Sequence, residues 1–130
     1  MLVNTLAQQR ELIIKWIEAL RSGEYKQGKN NLYCDNAYCC LGVAGKLVNI
    51  NLSEDEYNYF SIQKVYGLFN HSGQYGIKKE WDWYQQPALS SDNDNGVSFN
   101  EIADLIESNP PGLFVPELEA YLKDNPLCVN

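Results

Sequence analysis

Leu6-Ala7-Gln8-Gln9-Arg10-Glu11-Leu12-Ile13-Ile14-Lys15-Trp16-Ile17-Glu18-Ala19-Leu20-Arg21-Ser22-Gly23 is the stretch on which the fold class turns. Leu6, Ile13, Ile17 and Leu20 recur at helical spacing, and Trp16 widens the apolar stripe. Polar residues fill the other face, so the sequence predicts an amphipathic helix from Thr5 to about Ser22. Gly23 sits where a left-handed residue ends a helix. A polar stretch, 24–31, follows it.

Downstream, Leu32-Tyr33-Cys34 and Ala37-Tyr38-Cys39 flank Asp35-Asn36, a pair that tolerates positive φ, which predicts a short hairpin. Cys40 to Val48 is apolar and rich in small residues. Cys40, Val43, Ala44 and Leu47 share one helical face there, with small residues suited to close packing on the first helix. Ser53-Glu54-Asp55-Glu56 reads as a capping box opening a helix with Tyr57, Phe60, Val65 and Leu68, which Gly67 ends. Residues 70–86 read as an aromatic, glycine-punctuated loop with one strand at 75–78. Residues 91–96 read as a polar turn. Ser98-Phe99-Asn100-Glu101 is a second capping box, starting a helix over 99–107 that Pro110-Pro111-Gly112 stops. Pro116 opens a last helix. The expected fold is α+β and predominantly α-helical: a compact helical domain, 1–130, with a small antiparallel hairpin.

The chain has 130 residues, 45% hydrophobic and 21% charged, which suits one globular domain. No run approaches the roughly 18 apolar residues of a membrane span. The first residues lack a basic segment followed by an apolar one, so no signal peptide is read and a cytoplasmic location is expected. A net charge of −7 and a pI near 4.6 argue against binding nucleic acid through its phosphates. Cys34, Cys39, Cys40 and Cys128 lack zinc-knuckle spacing and read as reduced, buried thiols acting as small hydrophobes.

Catalytic signatures are missing. His71 lies in Asn-His-Ser-Gly with no partner nucleophile at readable spacing, so an exposed loop histidine is expected. Neither Cys39 nor Cys40 has a basic activator nearby in sequence. The turn at 91–96 fails as a calcium loop, because the twelfth position falls on Ile102 or Ala103. Phosphate-loop, dinucleotide, zincin and nucleophile-elbow motifs do not occur. A non-enzyme needing no cofactor or metal is expected.

Two polar or aromatic clusters invite a binding role. Arg21, Ser22, Tyr25, Lys26, Gln27 and Lys29 put a guanidinium, a hydroxyl, a ring and an amide within nine residues. Such a set can hold a phosphate while Tyr25 stacks on a base, or it can be a helix C-terminus whose basic residues complement the dipole. Trp81, Trp83 and Tyr84 form an aromatic loop, read either as a partner-binding face or as cover for the core.

Three blocks carry a resemblance: Trp16 to Gln27 (W-x-x-A-L-R-S-G-x-Y-x-Q), Cys39 to Val43 (C-C-L-G-V), and Ser98 to Glu107 (S-F-x-E-I-A-D-L-I-E). In this order they resemble a family of small, mostly uncharacterised bacteriophage-encoded proteins. Gly45 departs from the pattern, where a larger apolar residue or a cysteine is expected, and puts the second helix in question. The resemblance implies an accessory protein dispensable for building the virion and acting against bacterial defence. Two functions follow as expectations. One is a non-catalytic sponge, homo-oligomeric with shared pockets, that sequesters a nucleotide-like signal at Arg21 to Lys29. The other is an acidic inhibitor that docks on a host defence or nucleic-acid-binding protein.

Overall fold

A computed structural model describes residues 4–76 and 86–128. Helix α1 (Leu6–Arg21) opens with a capping box in which Thr5 Oγ1 accepts from the Gln8 N–H and Gln8 Oε1 accepts from the Thr5 N–H. It buries Ile13, Trp16, Ile17 and Leu20 along one stripe. Gly23, at φ +79°, turns the chain away in the left-handed region.

The hairpin pairs β1 (Tyr33–Cys34) with β2 (Ala37–Tyr38), Tyr33 opposite Tyr38 and Cys34 opposite Ala37. Asp35 and Asn36 both adopt positive φ, as a two-residue hairpin turn requires. Strands this short do not hold themselves together. The Tyr33 and Tyr38 rings pack at 4.8 Å, and the 26–28 segment runs beside β2, with the Gly28 N–H donating to Tyr38 O and the Tyr38 N–H to Lys26 O.

Helix α2 (Cys40–Leu47) is intact despite its glycines and is buried from Cys40 to Gly45. The nearest neighbours of its glycines lie outside α1. Gly42 lies against the Leu32 backbone, and Gly45 lies against Leu52 and Ile62. That close approach leaves little room for a larger residue at Gly45. Trp16 Nε1 joins α1 to α2 by donating to Cys40 O at 2.9 Å.

Helix α3 (Glu56–Tyr66) differs from expectation at its cap. Asp55, not Ser53, caps it, accepting from the Tyr57 N–H, while Ser53 accepts from the Asn58 side chain. Ile62 and Tyr66 are buried, whereas Tyr57 and Phe60 face solvent. The inward stripe needs Tyr66, whose hydroxyl donates to Ala44 O at 2.6 Å and whose ring lies 5.1 Å from Trp16. That orientation turns Tyr57 and Phe60 outward. Gly67, at φ +72°, ends the helix.

The expected polar turn at 91–96 is instead a short helix, α4 (Leu89–Asp94), anchored by buried Leu89 and Asn93. Helix α5 (Phe99–Glu107) carries its capping box at Ser98 and Glu101 and buries Phe99, Ile102, Ala103 and Ile106. Helix α6 (Pro116–Asp124) buries Leu118 and Leu122. Of the strand expected at 75–78, residues 75 and 76 form no strand, an isolated bridge joining Gln74 to Ala88 just ahead of them, and residues 77 and 78 lie outside the described residues. Helix α1 packs on α2, α3, α5 and α6, and one core cluster draws on all six helices of the described residues. The architecture is α+β, mostly helical, with a two-stranded antiparallel sheet. Among the described residues no helix is long and apolar enough to cross a membrane.

The thiols divide. Cys39 and Cys40 are buried, but Cys34 and Cys128 are exposed, contrary to the expectation for all four. Cys39 caps α2 through Sγ, which accepts from the Gly42 N–H, and burial pushes its pKa up to about 11. Burial holds the Cys40 thiol well above its ordinary value. Titration of the folded protein with Ellman's reagent at mildly alkaline pH is therefore expected to show Cys34 and Cys128 reacting, with Cys39 and Cys40 following only on unfolding. Reaction of all four thiols before unfolding would contradict this.

Candidate functional site

The 21–29 segment is largely committed to internal bonds. Arg21 Nη2 lies 2.6 Å from Asp104 Oδ1 and 2.5 Å from Glu107 Oε1 on α5. Burial works against the guanidinium charge, but the hydrogen bonds and charges of Glu107 and Asp104 outweigh it and raise the pKa. Ser22 Oγ donates to Ala19 O and accepts from the Glu24 N–H, an ordinary helix-end arrangement. Tyr25 is half-buried, edge-on to Tyr38 at 5.4 Å. Lys26 and Lys29 are exposed.

Both ends of the Gln27 amide are engaged. Its Nε2 donates to Asn93 Oδ1 at 2.9 Å and Val97 O at 2.8 Å, and its Oε1 accepts from the Phe99 N–H at 3.1 Å. Asn93, with no exposed surface, completes a hub: Oδ1 also accepts from the Cys40 N–H, and Nδ2 donates to Gly28 O. The segment thus straps the end of α1 and the hairpin to the α4–α5 junction. Asn93 looks like an ordinary turn residue in sequence, and its partners lie more than fifty positions away.

A phosphate at Arg21 would have to compete with two carboxylates already in contact. Because Asp104 is 72% exposed, the pair resembles surface ion pairs more than buried ones. Arg21→Ala is expected to cost less than about 1 kcal/mol in urea unfolding. A loss of several kcal/mol would mean the clamp is a main support of the fold.

A second surface lies over α3 and was not singled out by sequence reasoning. Tyr57 is 79% exposed and Phe60 is 43% exposed. The His71 ring packs on Phe60 at 5.0 Å, so this histidine is half-buried rather than free in solvent. A hollow of about 500 Å³ is lined by Asp55, Glu56, Tyr57, Phe60 and Lys64. An adjoining one of about 280 Å³ shares Glu56 and is lined also by Tyr59, His71, Ser72, Ser90 and Asp94. Tyr59 donates its hydroxyl to Glu54 Oε1 at 2.9 Å, and burial together with that carboxylate raises its pKa. The signal was present as two competing stripes on α3: 57, 60 and 64 on one face, 59, 62 and 66 on the other.

Trp81, Trp83 and Tyr84, the expected partner-binding loop, lie outside the described residues. Among the described residues no three His, Cys, Asp or Glu side chains converge as a metal site. Protonated, buried Cys39 and Cys40 are poor nucleophiles.

The fold and its surfaces define a small helical protein with a polar strap and an acidic, aromatic outer face. The chain belongs to the family DUF8296, a domain of unknown function, which matches it over residues 8–83. That span holds α1 from Gln8 onward, the hairpin, α2 and α3, whereas α4, α5 and α6 fall beyond it and complete the core. No curated protein and no solved structure matches the chain.

Proposed function

We propose that this protein is a non-catalytic, acidic binding protein that docks on another protein and blocks a positively charged surface of it. The observation that carries this reading is the outward aromatic face of α3 set among carboxylates on a chain of net charge −7. Aromatic residues in a charged rim supply contact area, and the field of the whole chain steers a basic partner toward it. The resemblance to small bacteriophage-encoded proteins supports a host defence or nucleic-acid-binding protein as the target, met in the host cytoplasm. Immobilised protein should retain a partner from bacterial lysate at low salt and release it as ionic strength rises. The reading fails if no salt-sensitive partner is retained.

A second reading keeps the sequestering of a nucleotide-like signal by a homo-oligomer. Exposed Lys26 and Lys29 beside half-buried Tyr25 favour it. It expects a thermal upshift with cyclic nucleotides or ADP-ribose derivatives that Lys26→Ala or Lys29→Ala weakens. No shift across a broad nucleotide panel removes it.

A further inference from the structure

The geometry points to the outer face of α3 and its two adjoining hollows as the docking surface for an arginine-bearing basic segment of another protein. This rests on the docking reading above and names both the surface and the chemistry of its occupant. Single exposed apolar residues are ordinary, but here Tyr57 and Phe60 stand one helical turn apart over a recess. Among the described residues, carboxylates outnumber lysines on the rim. Asp55 and Glu56 open the helix, Asp94 faces in from α4, and among the described residues Lys64 is the one cationic side chain lining the larger hollow.

Arginine fits this combination better than lysine. Its planar guanidinium stacks on an aromatic face while its N–H groups pair with a carboxylate, and it sheds water more readily than an ammonium does. Glu56 stands in the wall of both hollows, so an extended segment can set one basic side chain over Tyr57 and Phe60 and a second toward Asp94, Ser72 and Ser90. Asp94 Oδ1 already accepts from the Asn30 N–H, which holds that carboxylate in place with lone pairs to spare. Phosphates are repelled by the same rim, and a second copy of the chain would bring −7 against −7.

Fluorescence anisotropy with a labelled arginine-rich peptide tests the assignment on the full chain at low salt. Saturable binding is expected, weaker for the lysine-substituted peptide. The double change Tyr57→Ala, Phe60→Ala should weaken it about tenfold. Glu56→Gln and Asp94→Asn should each weaken it too, while Glu18→Gln and Glu117→Gln, on exposed positions of α1 and α6, leave it unchanged. Melting curves establish that each variant is folded. Equal weakening by the α1 and α6 changes would reduce the binding to diffuse charge and overturn the assignment. So would indifference to the aromatic double change. If a salt-sensitive partner is retained equally well by that double variant, this surface is wrong while the docking function stands. If no salt-sensitive partner is retained at all, the docking function itself falls.

Discussion

Replacing Gly42 with alanine is expected to destabilise the protein by about 3 kcal/mol or more, read as a lower urea midpoint at unchanged slope. Helix propensity alone predicts the opposite sign, since alanine in a helix interior is favoured over glycine by about 1 kcal/mol. Tertiary packing decides the sign. A Cβ at Gly42 would lie 1.9 Å from Leu32 O and 2.8 Å from Leu32 C, and backbone atoms have no rotamer into which to retreat. Leu32 is fully buried, and its N–H and C=O are both engaged, with Glu54 Oε2 and the Cys39 N–H. Relief therefore requires α2 to part from the chain entering the hairpin, which unpacks Cys40 and Leu41 as well. Gly45→Ala is the control. Its new Cβ would meet Leu52 Cδ2 at 2.8 Å and Ile62 Cδ1 at 3.0 Å, the ends of flexible side chains, so a smaller loss is expected. Equal effects at the two positions would refute the account.

Asn93→Leu is expected to cost about 2–4 kcal/mol, although leucine has a similar size and suits a buried position. The loss comes from what stays behind. The Cys40 N–H and Gly28 O each lose the Asn93 side chain as partner, and Gln27 Nε2 keeps only Val97 O. Buried donors and acceptors left unpaired carry the full cost of desolvation. Gln27→Ala breaks the same network from the other end, so the double variant should lose less than the sum of the singles in urea unfolding. Additive losses would mean that Gln27 and Asn93 act independently. Cooperative melting is expected to fall at one transition, because Gln27 lies in the family-matched span and Asn93 outside it.

Local patterns carried much of the fold. The stripe from Leu6 to Leu20, the Asp35-Asn36 turn, the Ser98 capping box and Pro116 at a helix start each depend on residues a few positions apart. That is why α1, the hairpin, α5 and α6 were legible. The features that were not legible share a different cause. On α3, apolar residues occupy both faces, and only the position of Trp16 and Ala44 selects Tyr66 for the interior and leaves Tyr57 and Phe60 outside. In 91–96, polar composition suggested a turn, but Leu89 and the Asn93 network draw the segment into a helix.

The candidate sites divide the same way. The grouping of Arg21, Ser22, Tyr25, Lys26, Gln27 and Lys29 was visible as composition, yet composition does not say which polar atoms are already engaged. Asp104 and Glu107 take Arg21, and Asn93, Val97 and Phe99 take Gln27, from distances of tens of residues. Sequence by itself determined that this chain is mostly helical, strongly acidic and without readable catalytic motifs, because periodicity, charge and spacing are local or summed properties. Only the tertiary structure decided which polar groups are spent on the fold and which aromatic rings are left to solvent. Hydrogen-bond capacity and buried surface are finite, and both are allocated by contacts between segments far apart in the chain.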